Sequence, residues 1–221
     1  MDSNIHALEK IRNNAIDMLI ERKYNKSTLE NLHTFDHTDF VKAYKNNSIN
    51  INVKHETKDE VAIVYFYNYR EKRLKREDIN MIIDSIKVDM NDKSNYNLIL
   101  VVKEKPHSLI LKRITSINNN DDDDDIDLIN LNVEIFYHHE LIINITKHER
   151  VPKHIILSEE EKNNVLSTYK CNERQIPQYA INDPLVKYYG LKHNEMCKII
   201  RKSKTSGNSI YYRIVNKNII I

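Results

Sequence analysis

Glycine is scarce in this chain, which has two glycines, Gly190 and Gly207, among 221 residues. The loops that hold nucleotide phosphates need several closely spaced glycines, because their backbone must approach the phosphate and adopt positive φ angles. The sequence therefore excludes Walker-type and dinucleotide-binding loops. Since it contains no other recognisable enzyme motif, we expect neither catalytic residues nor a cofactor.

Cysteines and long apolar runs are also few. Cys171 and Cys197 form no CxxC pair, so the sequence predicts no zinc site and no other metal site. The longest apolar runs, residues 61–67 and 98–102, have the length of strands and are much shorter than a membrane helix. Residues 1–4 lack the basic-then-apolar order of a signal peptide. We therefore expect a protein of a reducing compartment, with two free thiols and no membrane partner.

The net charge of +2 conceals an asymmetry between the two parts of the chain. Residues 151–221 hold 12 basic and 6 acidic side chains, whereas residues 1–150 hold 22 and 26. Between Lys187 and Lys217 there are eight basic residues and one acid, Glu195. Such a block is typical of a surface that contacts nucleic acid or an acidic partner, and the alternative is a solvated basic face without a partner.

The hydrophobic pattern of the first 145 residues changes repeatedly between helical and strand spacing. The alternation of strands and helices predicts an α/β domain with a small parallel-type sheet and crossover helices. Five consecutive aspartates at residues 121–125 repel one another and predict a disordered surface loop, with a metal-binding or regulatory patch as the alternative. The predicted helices are residues 3–23, 36–44, 76–90 and 108–117, the strands are 61–67, 97–102 and 132–137, and 46–58 is a polar loop.

Residues 146–221 carry sharper local signals. Ser158 and Glu161 have the spacing of a capping box for a helix that runs to about Tyr169. Asp183 directly precedes a proline, as at a helix start, and Gly190 fits the left-handed end of that short helix. Strands at 196–202 and 210–215 flank a tight turn at residues 206–209. The pattern predicts an α+β domain with a β-hairpin.

Two clusters in the first domain contain residues with catalytic or metal-binding chemistry. His138, His139 and Glu140 follow a predicted strand, and exposed polar residues at a strand end are favoured over a metal site. Lys103 and Glu104 end the preceding strand, where a metal-dependent nuclease places an acid and a lysine. The further acids that such a nuclease needs are not evident.

Lys105, Pro106, His107 and Ser108 form a turn before a predicted helix. A proline without an amide donor favours the start of a helix, and the first helical amides then offer a positive end to phosphates. The alternative is an ordinary connection between a strand and a helix.

The motifs of the second domain keep their order and spacing over many residues. Their set resembles the fifth subunit of eukaryotic DNA-directed RNA polymerases, which polymerases I, II and III share, and the shorter archaeal relative that covers this domain alone. The resemblance covers residues 145–215 and is carried by His148-Glu149, Val151-Pro152-Lys153-His154, Leu157-Ser158, Glu161-Lys162, Gln175-Ile176-Pro177, Asp183-Pro184, Tyr189-Gly190-Leu191-Lys192, Lys198 to Ser203, Thr205-Ser206-Gly207 and Tyr212-Arg213.

The resemblance implies a non-catalytic polymerase subunit whose C-terminal domain docks on the largest subunit. The first 145 residues are similar to the family's jaw domain in outline, which implies a place in the lower jaw beside downstream duplex DNA. The family's Thr-Pro-Ser-Ala turn, which approaches this DNA, corresponds here to Lys105, Pro106, His107 and Ser108. The residues expected to face the partner subunit are Pro152, Lys153, His154, Lys198, Arg201, Lys202, Lys204 and Arg213.

Two further interpretations of function stay open. In the first, the chain is a free-standing binding module that has the same fold but belongs to another complex. In the second, it is a metal-dependent nuclease that uses the α/β sheet of the first domain. The composition is typical of a protist or a large DNA virus. For a cellular protein the resemblance implies the nucleus, and for a viral protein it implies the virion or a cytoplasmic virus factory.

Overall fold

The computed structural model describes residues 2–33, 36–46, 48–67, 73–87, 95–119, 131–203 and 207–217. The chain divides into two units, Met1–Ile143 and Asn144–Ile221. The boundary predicted between residues 145 and 146 lies close to this division. The predicted acidic loop at residues 121–125 and the docking residue Lys204 lie outside the described residues.

The N-terminal unit is built on a four-stranded sheet of order β1-β2-β3-β4. β2, β3 and β4 are parallel, and β1 pairs with β2 in the antiparallel sense. The helices α4 and α5 connect the parallel strands, so the predicted parallel sheet with crossover helices is confirmed. The strands are Ile51–Lys54 (β1), Glu60–Phe66 (β2), Asn95–Val102 (β3) and Leu131–Tyr137 (β4); the helices are Asp2–Glu21 (α1), Lys26–His33 (α2), His37–Lys45 (α3), Arg76–Lys87 (α4), Ser108–Asn119 (α5) and His138–Leu141 (α6).

The isoleucines of α4 and α5 belong to a buried hydrophobic cluster of this unit. Ile79, Ile83 and Ile114 share that cluster with Leu98 and Leu100 of the interior strand β3. Seven of the eight residues of β3 are buried. Because burying one such side chain contributes about 1.5–3 kcal/mol, this cluster stabilises the unit together with the buried side chains of α1, among them Ile11, Ile16 and Leu19.

A polar network lies on the opposite face of the sheet. The Arg22 guanidinium donates to both carboxylate oxygens of Glu134, at 3.1 and 2.8 Å. The Asn97 side-chain amide donates to the same carboxylate at 2.8 Å. This buried charge is therefore hydrogen-bonded, and it connects the end of α1 to the strands β3 and β4.

Three elements of the N-terminal unit, β1, α2 and α6, differ from the sequence prediction. β1 lies inside residues 46–58, which were predicted to be a loop. Its Ile51 and Val53 are buried and alternate with exposed neighbours, and pairing with β2 stabilises a strand too short to be recognised from its own pattern. The helices α2 and α6 were not predicted either.

The C-terminal unit contains a second four-stranded sheet, of order β5-β7-β8-β6. β7 and β8 are antiparallel neighbours, so the predicted hairpin and α+β class are confirmed. β5 pairs with β7 in the antiparallel sense, and β6 pairs with β8 in the parallel sense. The elements are Lys153–Ile156 (β5), Glu159–Tyr169 (α7), Gln178–Ala180 (β6), Pro184–Tyr189 (α8), Met196–Ser203 (β7) and Gly207–Asn216 (β8).

The predicted helix ends of this unit are confirmed. The Ser158 hydroxyl accepts from the Glu161 amide at 3.2 Å, and the Glu161 carboxylate accepts from the Ser158 amide at 2.8 Å. The Asp183 side chain caps α8, and Gly190 ends that helix with φ 64°. The turn predicted at residues 206–209 differs, because residues 207–209 belong to β8 and Gly207 pairs with Ser203. Ser206 lies outside the described residues.

Candidate functional site

The β7–β8 hairpin presents two different faces. Residues directly opposite one another in an antiparallel pair point to the same side of the sheet, and the side alternates along each strand. Lys198 lies opposite Tyr212, and Ile200 lies opposite both Ile210 and Lys153. We name these two sets the lysine face, which consists of Lys153, Ile155, Lys198, Ile200, Lys202 and Ile210, and the arginine face, which consists of Arg201, Tyr211 and Arg213.

The lysine face combines lysines with exposed aliphatic side chains. Ile155 is 36% exposed and Ile210 is 48% exposed. The helix α7 packs against the other end of the same side, where Met196 and Ile214 are buried. The end near the turn therefore offers an apolar strip bordered by Lys153 and Lys202, which are exposed.

The arginine face is organised by an aromatic cluster beneath it. The Arg213 guanidinium lies 4.6 Å from the centre of the Tyr179 ring, within the range of a cation–π interaction. Beyond it, Arg201 is exposed and Tyr211 is 52% exposed. This face offers a cation and an aromatic ring to a partner.

His154, predicted to face a partner, belongs to the interior of the unit. Its ring is 6% exposed, with Nδ1 2.7 Å from the Pro152 carbonyl oxygen and Nε2 3.0 Å from the Tyr179 hydroxyl. Burial lowers the pKa of this imidazole. Both nitrogens are thus occupied within the unit, so His154 positions β5 and does not form part of an exposed surface.

The other predicted docking residues do not share a single surface. Lys198 and Lys202 lie on one side of the hairpin, whereas Arg201 and Arg213 lie on the other. Pro152 and Lys198 are half-buried. Ile155, Ile210 and Tyr211 are exposed as well, and their exposure could not be predicted, because an apolar residue in a strand pattern is by default assigned to the core.

The predicted DNA-proximal turn lies at the start of α5. Lys105, His107 and Ser108 are exposed, whereas Pro106 is buried. His107 caps the helix, because its carbonyl oxygen accepts from the Ile110 amide at 2.9 Å. Pro106 therefore precedes the cap. Its lack of an amide donor had predicted that it would start the helix, and this prediction is wrong by two positions, because α5 begins at Ser108. Leu109 follows with 68% exposure.

The two candidate catalytic clusters have structural explanations. His138 begins α6 and is not an exposed residue at a strand end. Burial, together with the nearby Lys103 charge, lowers the pKa of His138 to about 4. The Glu140 carboxylate accepts from the Tyr137 amide at 2.7 Å and closes the first turn of this helix. Glu104 pairs with Arg73 at 3.3 Å on the surface.

Three residues of the N-terminal unit meet where the sequence predicts no metal site. His6, Glu9 and His37 each offer one ligand atom, and these atoms lie within 4.8 Å of one another. Both cysteines are free, and burial raises the pKa of the Cys197 thiol to about 11. Among the described helices, none has the length and apolar character that a membrane crossing needs.

Known proteins match the C-terminal unit. Residues 143–215 match the family model described as RNA polymerase Rpb5, C-terminal domain. A Dictyostelium discoideum protein named DNA-directed RNA polymerases I, II, and III subunit rpabc1 is 46% identical over 84 residues, which are 38% of this chain and 43% of that protein. Proteins named DNA-directed RNA polymerases I, II, and III subunit RPABC1 from Caenorhabditis elegans and Caenorhabditis briggsae are 43% identical over 83 residues.

These alignments cover less than half of each relative, 43% in Dictyostelium and 39% in both Caenorhabditis species. The matched domain contains the hairpin, the capped helices and the ordered motifs from His148 to Arg213. The resemblance predicted from those motifs is therefore confirmed, and residues 143–215 are similar to the Rpb5 C-terminal domain.

Proposed function

We propose that this chain is a non-catalytic subunit of a multisubunit DNA-directed RNA polymerase. The observation that carries the proposal is the match of residues 143–215 to the Rpb5 C-terminal domain, together with relatives named as subunits of polymerases I, II and III. Within the enzyme it contributes no catalytic residue. The eukaryotic relatives favour the nucleus as its location.

The C-terminal unit docks on the largest polymerase subunit through the hairpin. The lysine face supports this role, because Ile155 and Ile210 are exposed on the same side of the sheet as the exposed Lys153 and Lys202. Exposed aliphatic side chains with a charged border are typical of a protein–protein interface rather than of a DNA-binding surface. The basic excess of this domain therefore serves recognition of an acidic protein surface.

Copurification tests the docking proposal. A tagged chain expressed in its source organism is expected to copurify with the polymerase subunits. Ile210→Asp places a charge in the apolar strip and is expected to reduce that recovery about tenfold, the effect of ~1.4 kcal/mol at an interface. Met81→Asp is the matched control, because Met81 is 62% exposed on the N-terminal unit. Full yield of the tagged chain without polymerase subunits contradicts the proposal.

The N-terminal unit lies in the lower jaw and contacts the backbone of downstream duplex DNA through the turn before α5. Lys105 is exposed there, beside the capped start of a helix. A lysine and helix amides recognise phosphate groups without reading sequence. The DNA contact is therefore independent of sequence and sensitive to salt.

The salt dependence of DNA retention tests this contact. In the assembled enzyme, Lys105→Ala is expected to flatten the slope of log affinity against log salt by about one unit, the effect of one lost phosphate contact. Lys112→Ala changes an exposed lysine of the same helix and is the matched control. An unchanged slope for Lys105→Ala rules out the phosphate role.

A binding module of the same fold in another complex is the second candidate. The exposed apolar strip favours a docking role but does not distinguish between partners. Mass spectrometry of the copurified proteins separates the two candidates, since recovery of a complex without polymerase subunits supports the second. The nuclease interpretation gains no support from the structure, because Glu104 pairs with Arg73 on the surface.

A further inference from the structure

We propose that His6, Glu9 and His37 form a binding site for a zinc ion that ties α1 to α3. The site is independent of the polymerase proposal, because all three residues lie outside residues 143–215, whose match carries that proposal. Two imidazoles and one carboxylate are a donor set that Zn²⁺ favours over the oxygen-seeking ions Mg²⁺ and Ca²⁺.

The two helices bring the three side chains together from positions far apart in the chain. His6 and Glu9 are three residues apart on α1 and therefore project from the same side of that helix. His37 is the first residue of α3, and the Asp36 side chain holds its backbone amide at 2.8 Å. Both helix backbones thus position the ligands before any ion binds.

The distances between the donor atoms suit a tetrahedral ion. Zn–N and Zn–O bonds of about 2.0–2.1 Å place two ligand atoms about 3.3 Å apart in a tetrahedral site. Glu9 Oε2 lies 2.7 Å from His37 Nδ1 and 3.6 Å from His6 Nδ1. The first pair must open by about 0.6 Å and the second must close by about 0.3 Å. The two imidazole ligand atoms lie within 4.8 Å of each other, and rotation of their exposed side chains brings them to the required separation.

The carboxylate of Glu9 is the centre of the cluster. Its side chain is 18% exposed, whereas those of His6 and His37 are 79% and 51% exposed. The two imidazole rings lie 6.3 Å apart, with an interplanar angle of 65°. The carboxylate thus lies between two rings that open to solvent, so an ion can enter, and water fills its fourth position.

Zinc titration of the untagged full chain tests the site. After treatment with a chelator, calorimetry against a competing chelator is expected to show one Zn²⁺ bound per chain. His6→Gln is the decisive variant, because His6 is too exposed for its loss to unfold the protein. It is expected to weaken zinc binding at least about tenfold, since loss of a supporting group alone costs 10–100-fold in metal affinity.

The chain has ten histidines, so a matched control is needed. His33 contacts Asp17 of α1 at 3.2 Å, as His37 contacts Glu9, and the pair forms no part of the three-ligand cluster. His33→Gln is expected to leave zinc affinity unchanged, whereas His37→Gln lowers it as His6→Gln does. Zinc should also raise the melting temperature of the wild type and not that of His6→Gln.

Cobalt provides a second readout. Co²⁺ in a site with few ligands gives intense visible bands, which are expected for the wild type and for His33→Gln and lost in His6→Gln. The proposal is overturned if the wild type binds no Zn²⁺, or if His6→Gln and the wild type bind it with equal affinity.

Discussion

Lys162 is the most deeply buried charge of the C-terminal unit, and its removal is expected to destabilise that unit strongly. Its side chain is 3% exposed, and its ammonium lies 2.7 Å from Glu173 Oε1 and 2.9 Å from the Asn194 carbonyl oxygen. The Asn194 side-chain amide also donates to Glu173 at 3.1 Å. Lys162 thus connects α7 to the turn before β6 and to the loop before β7.

Lys162→Met keeps the aliphatic stem and removes the ammonium. The partly buried Asn194 carbonyl then loses its donor, which costs about 1–3 kcal/mol. Glu173 is 44% exposed and is hydrated after the change, so the lost ion pair adds only about 1 kcal/mol. We expect the unit to lose about 3 kcal/mol, which lowers the melting temperature of a domain of this size by roughly 12–24 °C.

Urea denaturation followed by circular dichroism measures this loss, and hydrogen exchange of the β7 amides assigns it to the C-terminal unit. Glu159→Gln is the matched control. Glu159 lies 3.6 Å from the same ammonium but is 72% exposed, so its change should stay within about 0.5 kcal/mol. A loss below about 1 kcal/mol for Lys162→Met would mean that the buried ammonium does not stabilise the unit.

The same interaction predicts a dependence on pH. The hydrogen bond from Lys162 lowers the pKa of the Glu173 carboxyl below its usual 4.5. A carboxyl group whose pKa is lower in the folded than in the unfolded protein stabilises the fold at pH values above its ordinary pKa. This contribution is lost as the pH falls through the pKa of the folded state. The stability difference between wild type and Glu173→Gln should therefore be present at pH 7 and shrink below about pH 4.5. A difference that stays constant down to pH 3 contradicts the assignment.

Three further predictions concern local features of the C-terminal unit. Ser158→Ala removes the cap of α7 and should cost about 1 kcal/mol in urea denaturation, whereas equal stability would contradict the capping box. Gly190→Ala should cost about 1 kcal/mol, because φ is 64° there, and thermal melting measures it; a stabilising effect would exclude the left-handed cap. Cys197 should resist a thiol reagent at pH 8 in the folded protein, because its pKa of about 11 leaves roughly one molecule in a thousand with an ionised thiol. Rapid labelling of Cys197 in the native protein would contradict its burial.

Local motifs explain which parts of the fold could be predicted. The capping box at Ser158 and the Asp183 cap each need only a few neighbouring residues, and both were found where the spacing placed them. The buried central strand was equally clear from its continuous apolar run. β1 was missed, because four residues with two buried side chains become a strand only through pairing with β2.

The candidate docking surface depended on strand register. The sequence placed Lys198, Arg201, Lys202 and Arg213 together among the residues expected to face the partner subunit. Pairing across β7 and β8 separates the lysines from the arginines, since neighbouring residues of a strand point to opposite sides. The burial of His154 between Pro152 and Tyr179 likewise depends on packing with β6.

The class of both domains, the ends of α7 and α8 and the resemblance to a polymerase subunit could be predicted from the sequence, because they depend on short-range spacing and on the order of motifs. Folding was needed to show which apolar side chains stay exposed on the hairpin and that His37 lies near His6 and Glu9. Those facts arise from contacts between residues distant in the chain, and periodicity within one segment carries no information about them.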